Sequence, residues 1–371
     1  MGWLKRLAER FRWRAIGERR RAIPVLQVEV TSRCQLGCVY CPRTVLQDLW
    51  DNGDLSWEVF ERELRPVLPD VELLHLQGWG EPLLHPRLLD MLAAAKEAGC
   101  ETGFTTNGML LEPAAMNQLV KMGIDLVCFS LAGAREESNG ALRPGSSLMR
   151  VLAHAADLAA RRREAGGSAP RMVLFYSMTC DNLGEMVEIL PLAAAAGIDE
   201  VVATNIDFAP DAVVEARQAF TCGPPDPEAA AAVDRARAEA SRIGMPFRAY
   251  PLSLGEQALM CDAYPTQNVF INHRGEVAPC VYLGLPLRGT AIPRLFCGER
   301  KPATAVTFGN VAEGLTQALR SEAAEDFREA FRRRLATRLD SLVPVDAERV
   351  SGPRIPSPPA QCVFCYKLYG L

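Results

Sequence analysis

The segment TSRCQLGCVYCPRT sets Cys34, Cys38 and Cys41 in a C-x3-C-x2-C spacing on one tight loop, directly after an apolar run. Three thiolates on one loop can bind three irons of a cubane and leave the fourth iron without a protein ligand. A structural site closes its coordination with a fourth ligand, whereas a catalytic site keeps a position open. The bland alternative, a zinc knuckle, wants a fourth Cys or His near the loop, and the sequence offers none before His75. Far downstream, Cys261 and Cys280 precede Cys362 and Cys365 of a terminal CVFC. Four such thiolates can fully ligate one cluster or one zinc ion, and so tie together a small domain with little core of its own.

A second motif, LQGWGEPLLHP, runs from residue 76 to 86. Glycines there let backbone approach a ligand closely, and the carboxylate of Glu81 can accept hydrogen bonds from an ammonium. Standing alone, such a turn would be an ordinary joint between strand and helix. Beside the cysteine loop it takes on another meaning. The loop, with Tyr40 just before its last cysteine, resembles the signature of the radical S-adenosylmethionine (SAM) superfamily. QGWGEP resembles that family's GGEP-type motif through Gly78, Trp79, Gly80 and Glu81, with Trp79 standing where many members have glycine.

The resemblance implies a [4Fe-4S] cluster on the three cysteines, with SAM chelating the open iron. An electron from the cluster then cleaves SAM to methionine and a 5'-deoxyadenosyl radical, while the protein positions the cofactor and excludes water. It also implies that Glu81 and its glycines hold the SAM amino group. Asn107 in TTNG, Ser130 at the end of the fourth strand and Arg143 in LRPG would serve as further SAM contacts, the last two for carboxylate and ribose.

The step from Gly275 to Cys280, the FGNV turn at 308–311 and the terminal CVFCYKLYG resemble the SPASM/twitch domain attached to many radical SAM proteins. A full SPASM domain carries seven cysteines, and here only Cys297 lies between Cys280 and Cys362. The single-cluster twitch form is therefore expected, with Cys261, Cys280, Cys362 and Cys365 holding a second, auxiliary [4Fe-4S] cluster as electron relay or staple. Zinc is the runner-up at that site.

The elements that must position these residues follow from hydrophobic patterning. With 371 residues the chain is long enough for one large domain and a smaller one. Its 49% apolar and 23% charged residues are those of an ordinary globular protein, and a net charge of -4 gives no ground for nucleic-acid binding. No apolar run is long enough to span a bilayer and no secretory signal is present, so a cytoplasmic protein is expected. Residues 1–22 read as a short basic amphipathic helix. From 23 to 225, apolar runs at 25–30, 71–77, 100–106, 125–131, 171–178 and 199–206 alternate with helical stretches. This predicts an α/β fold, a partial (β/α)6 TIM-like barrel whose strand ends carry the site. A linker helix at 226–258 and an auxiliary cluster domain at 259–371 complete the expected order. Stretches 286–306 and 336–360 read as long loops.

The remaining cysteines, Cys100, Cys128, Cys180, Cys222 and Cys297, are scattered, and most read as small buried hydrophobes rather than disulfide partners. The expected function is hydrogen-atom abstraction in peptide or protein modification, by oxidation or crosslinking, with a reducing partner such as flavodoxin or ferredoxin. No roughly 80-residue leader-binding module precedes the barrel, which counts mildly against a leader-guided peptide. Alternatives are oxidation of a small alcohol or sugar, for which Asp207 could act as base although a helix N-cap is its plainer reading, and radical epimerisation using Cys180 or Cys222 as hydrogen donor. A non-catalytic iron-sulfur or zinc scaffold is the alternative outside enzymology.

Overall fold

The apolar runs form parallel strands in chain order: β1 (Ile23–Val28), β2 (Val71–Leu76), β3 (Glu101–Thr106), β4 (Leu126–Leu131), β5 (Arg171–Met178) and β6 (Glu200–Asn205). The computed structural model describes residues 21–342 and 355–371, except for the side chains of 338–342. The basic helix expected over residues 1–22 therefore falls, but for its last two residues, outside the described residues.

Helices cross between the strands on one side of the sheet: α1 (Leu88–Glu97), α2 (Pro113–Met122), α3 (Leu148–Glu164), α4 (Met186–Ala195) and α5 (Pro227–Ile243). Their sequences set their limits. The Ser147 hydroxyl accepts from the Arg150 amide to start α3, which then buries Leu148, Val151, Leu152, Ala155, Leu158 and Ala159 at helical spacing. The Asp226 carboxylate and Pro227 open α5, and Gly244 closes it with φ of 71°. Between β1 and β2 the helical turns over 57–70 are irregular, since Pro66 and Pro69 interrupt backbone pairing.

The sheet does not stop at six strands. β7 (Phe247–Ala249) adds parallel to β6, and β8 (Asn268–Ile271) adds parallel to β1 from the far end of the chain. β9 (Glu276–Ala278) and β10 (Gly309–Asn310) extend that edge antiparallel, giving an open ten-stranded sheet. Both added parallel strands are short, four residues or fewer, and leave no period to read.

The expected loop at 286–306 contains two small antiparallel ribbons, Ala291–Ile292 with Ala303–Thr304 and Leu295–Phe296 with Glu299–Arg300. The expected loop at 336–360 begins inside a helix, α6 (Glu322–Leu342), because the Ala, Leu and Arg of that stretch are good helix formers. Strand side chains alternate as a pleated sheet requires: Leu26, Phe104, Leu174 and Tyr176 enter the helix-covered core. Val25, Gln27, Thr105, Phe175 and Ser177 face the opposite side, which encloses a cavity.

Candidate functional site

The cavity, about 380 Å³, lies at the C-terminal ends of the strands and is lined by Cys34, Cys38 and Cys41. Backbone hydrogen bonds hold their loop in place. The Cys41 amide donates to the Cys38 carbonyl at 3.1 Å, and the Cys41 carbonyl accepts from Thr44 and Val45 as Pro42 begins a helical turn. The Gly37 and Val39 amides donate to the carbonyls of Pro144 and Leu142, each at 3.0 Å, and so clamp the cysteine loop to the segment carrying Arg143. Burial raises the Cys34 thiol above its ordinary range and pushes Cys41 up to about 12. A metal binding there must displace those protons, so cluster loading would depend on pH.

Glu81 is nearly fully buried beside this loop. Its carboxylate accepts from the Thr106 hydroxyl and the Asn107 amide, both at 2.7 Å, and from the Leu83 amide at 3.1 Å. Asn107 in turn donates from its side chain to Gln35 Oε1 at 3.3 Å and to Cys34 Sγ at 3.7 Å. The ends of β2 and β3 are thereby tied to the cysteine loop through one carboxylate and one amide. The glycines of the motif serve this packing. A Cβ on Gly80 would stand 2.0 Å from the Thr31 carbonyl oxygen, and one on Gly78 would stand 2.3 Å from Glu29 Cγ. Their close approach is to the end of β1. Tyr40, Ser130 and Arg143 line the same cavity, with Arg143 buried.

Trp79 does what a glycine could not. Beyond the backbone amide, which donates to Glu29 Oε1 at 2.8 Å as a glycine's would, its indole Nε1 donates to the Val281 carbonyl at 3.1 Å. Its ring packs against Phe208 and Tyr282, with centroids 6.2 and 5.8 Å away.

Cys280 lines this cavity too, and also joins Cys261, Cys362 and Cys365 around a separate void of about 20 Å³. Burial drives all four thiols up, Cys280 to about 12. Among the described residues no three His, Cys, Asp or Glu side chains are arranged to hold a single metal ion. Four thiols gathered at one place could also serve a cubane, whose irons take one cysteine each. Between the two thiol groups, Lys367 pairs with Asp207 at 2.6 Å and approaches Asp262 at 3.5 Å. Burial opposes the charge on Lys367, and the two carboxylates outweigh it and hold the ammonium well above the ordinary lysine range.

The Radical SAM superfamily model matches residues 28–211 and the SPASM model, an iron-sulfur cluster-binding domain, matches residues 261–339. The chain belongs to the radical SAM superfamily. Its relatives include the tungsten-containing aldehyde ferredoxin oxidoreductase cofactor-modifying protein of Pyrococcus furiosus, 30% identical over 184 residues, which are 49% of this chain and 51% of the relative. The PqqA peptide cyclase of Streptomyces rochei is 28% identical over 184 residues, 49% of this chain and 48% of that protein. This radical SAM chain thus spans about half the length of the curated relatives it matches. Its fold is that of Streptococcus suis SuiB bound to precursor peptide SuiA, with a TM-score of 0.61 at 15% identity over 83% of this chain and 67% of that one. It also matches anSMEcpe with bound AdoMet and the Cp18Cys peptide, with a TM-score of 0.55 at 15% identity over 83% of each chain.

Several expectations for this radical SAM protein need correction. Cys222 and Cys297 form a disulfide, their Cα atoms 5.8 Å apart, so Cys222 offers no thiol. Cys180 is exposed, and neither cysteine lines the cavity that a hydrogen donor must reach. Asp207 is no helix cap: Asp211 caps the next helical turn, accepting from the Val214 amide at 2.9 Å, while Asp207 faces the cavity. His75 sits inside β2, where burial pushes its imidazole down to about 4. Sequence reasoning passed over Asn205, Tyr250, Asp262, Tyr282 and Lys367, all of which line the cavity. One signal was available, since Asp262, Tyr282 and Lys367 each follow a cysteine of the second group within two residues.

Proposed function

We propose that the chain modifies a peptide or protein by radical chemistry. Cys34, Cys38 and Cys41 would hold three irons of a SAM-binding [4Fe-4S] cluster. Glu81, Asn107, Ser130 and Arg143 would orient the amino, carboxylate and ribose groups of SAM, with Tyr40 packed beside them. Bound there, cluster and cofactor supply a 5'-deoxyadenosyl radical for hydrogen-atom abstraction. Cys261, Cys280, Cys362 and Cys365 would hold the auxiliary cluster that takes up the substrate's remaining electron. The protein's own part is to exclude water, to fix the substrate between the two thiol groups and to present acceptors to its proton. We assign the chain's barrel to residues 23–225, its linker to 226–258 and its auxiliary domain to 259–371, although β7 and β8 carry one sheet across those limits.

The observation that supports this reading is one cavity lined both by Cys34, Cys38 and Cys41 and by Cys280. Peptide substrates are favoured by the relatives named PqqA peptide cyclase and by the fold shared with peptide-bound SuiB and anSMEcpe. A small-molecule substrate is the second reading, favoured by the relatives named GTP 3',8-cyclase. No helix among the described residues is long and apolar enough to cross a membrane, and we place the protein in the cytoplasm with flavodoxin or ferredoxin as reductant. The test is mass spectrometry of short polypeptides encoded beside the gene, after incubation with reconstituted enzyme, SAM and dithionite. Loss of about two mass units, as removal of two hydrogens requires, supports the peptide reading. Turnover of only a small alcohol or nucleotide in the same assay favours the second.

A further inference from the structure

Around Lys367 the cavity wall is rich in acceptors, and the side-chain donors of Lys367, Tyr250, Tyr282 and Trp79 are already engaged. Lys367 is divided between Asp207 and Asp262 and lies over the Tyr250 ring, 4.6 Å from its centroid. The Tyr282 hydroxyl donates to Asp207 Oδ1 and the Tyr250 hydroxyl to Asp262 Oδ2, each at 2.8 Å. Trp79 Nε1 is engaged by Val281. Two carboxylates against one ammonium leave one negative charge in surplus.

Two acceptors of this wall stand out. Both contacts of Asp262 fall on Oδ2, and its Oδ1 has no hydrogen-bond partner among the described residues. Asn205, only 7% exposed and lining the same cavity, anchors its amide nitrogen on the Pro251 carbonyl at 2.8 Å, which fixes its orientation. Its Oδ1 is buried and accepts nothing. A buried acceptor without a donor costs stability unless a ligand supplies one. The aromatic faces of Trp79, Phe208 and Tyr282 stand alongside, and such faces attract cations.

We propose that this end of the cavity receives a substrate cation, an alkylammonium or a guanidinium, with Asp262 Oδ1 and Asn205 Oδ1 as its acceptors and Asp207 supplying charge. On the peptide reading above, on which only the identity of the bearer rests, the cation is a lysine or arginine side chain beside the modified position.

The test titrates the full-length protein, before and after cluster reconstitution, with n-butylammonium and n-butylguanidinium against uncharged n-butanol, by ligand-observed NMR at low salt. The cations are expected to bind about tenfold more tightly than the alcohol, as a charge-assisted hydrogen bond warrants. Asp262→Asn should remove that preference while leaving alcohol binding intact in a protein that still unfolds cooperatively, and Asp207→Asn should weaken it with the Tyr282 contact kept. Equal binding of cation and alcohol, or a folded Asp262→Asn protein with undiminished cation preference, overturns the proposal. Cation binding without any peptide product supports this receptor and counts against the peptide reading alone. Peptide modification without cation preference does the reverse.

Discussion

The indole of Trp79 and the backbone carbonyl of Val281 meet at 3.1 Å across 202 residues of chain. This contact joins the SAM-motif loop after β2 to the segment that follows Cys280. Replacing Trp79 with glycine, the commoner residue of the family motif, should lower stability by about 2 kcal/mol through lost ring packing and the lost hydrogen bond. Trp79→Phe, which keeps a ring and loses the donor, should cost about 1 kcal/mol. Denaturant melts of the two variants give the comparison, and equal costs would mean that the hydrogen bond contributes most of the effect.

Both glycines of the motif should resist alanine. At Gly80 the added carbon meets backbone, the Thr31 oxygen at 2.0 Å and the Arg33 oxygen at 2.7 Å, and neither can move without distorting the cysteine loop. Gly80→Ala should therefore cost about 3 kcal/mol or more and give poorly loaded protein. At Gly78 the obstacle is the root of the buried Glu29 side chain, Cγ at 2.3 Å and Cβ at 2.4 Å, and that Cβ is fixed to the backbone just past β1. Gly78→Ala should therefore be costly as well, as read from expression, melting and iron content.

His75 ties part of the stability to pH. Its folded imidazole is held near 4 by burial, below the ordinary value of 6.5 that the unfolded chain regains. Between those values the unfolded state binds the extra proton, so stability present above 6.5 falls as pH drops towards 4. Between about pH 7.5 and 5.5 this site should contribute a loss of about 1 kcal/mol, at about 1.4 kcal/mol per unit below the unfolded value. His75→Gln should remove that slope, and urea melts at the two pH values measure the difference.

Of the twelve cysteines, ten are free and two are joined as Cys222–Cys297. Denatured, metal-free protein should accordingly titrate ten thiols before reduction and twelve after. Twelve at the outset would mean that the pair stays reduced in the isolated protein.

The site's chemistry was legible where it is local. Cys34, Cys38 and Cys41 share one loop, and Gly78, Gly80 and Glu81 share one turn, so their spacing is visible along the chain. The six long strands were legible because their apolar runs are separated by helices of clear period. What escaped was non-local or short. Lys367 meets Asp207 only because the last turn of the chain folds over the end of β6, and no spacing announces that pair. Cys222 and Cys297 lie 75 residues apart in segments without shared pattern. β7, with three residues, is too brief for alternation to be counted. Trp79 looked like a departure from the motif, and its reason is a partner brought from 202 residues along the chain.

The central claim is that Cys34, Cys38 and Cys41 support reductive cleavage of SAM, and one measurement tests it most directly. Protein reconstituted anaerobically with iron and sulfide is given dithionite and SAM, and 5'-deoxyadenosine is quantified beside the iron content. About eight irons per chain are expected for two four-iron clusters. Cleavage should be present in the parent protein and abolished when Cys34, Cys38 or Cys41 is replaced by alanine, with about four irons retained at the second site. Iron loading without any 5'-deoxyadenosine would contradict the account and leave a scaffold in place of an enzyme.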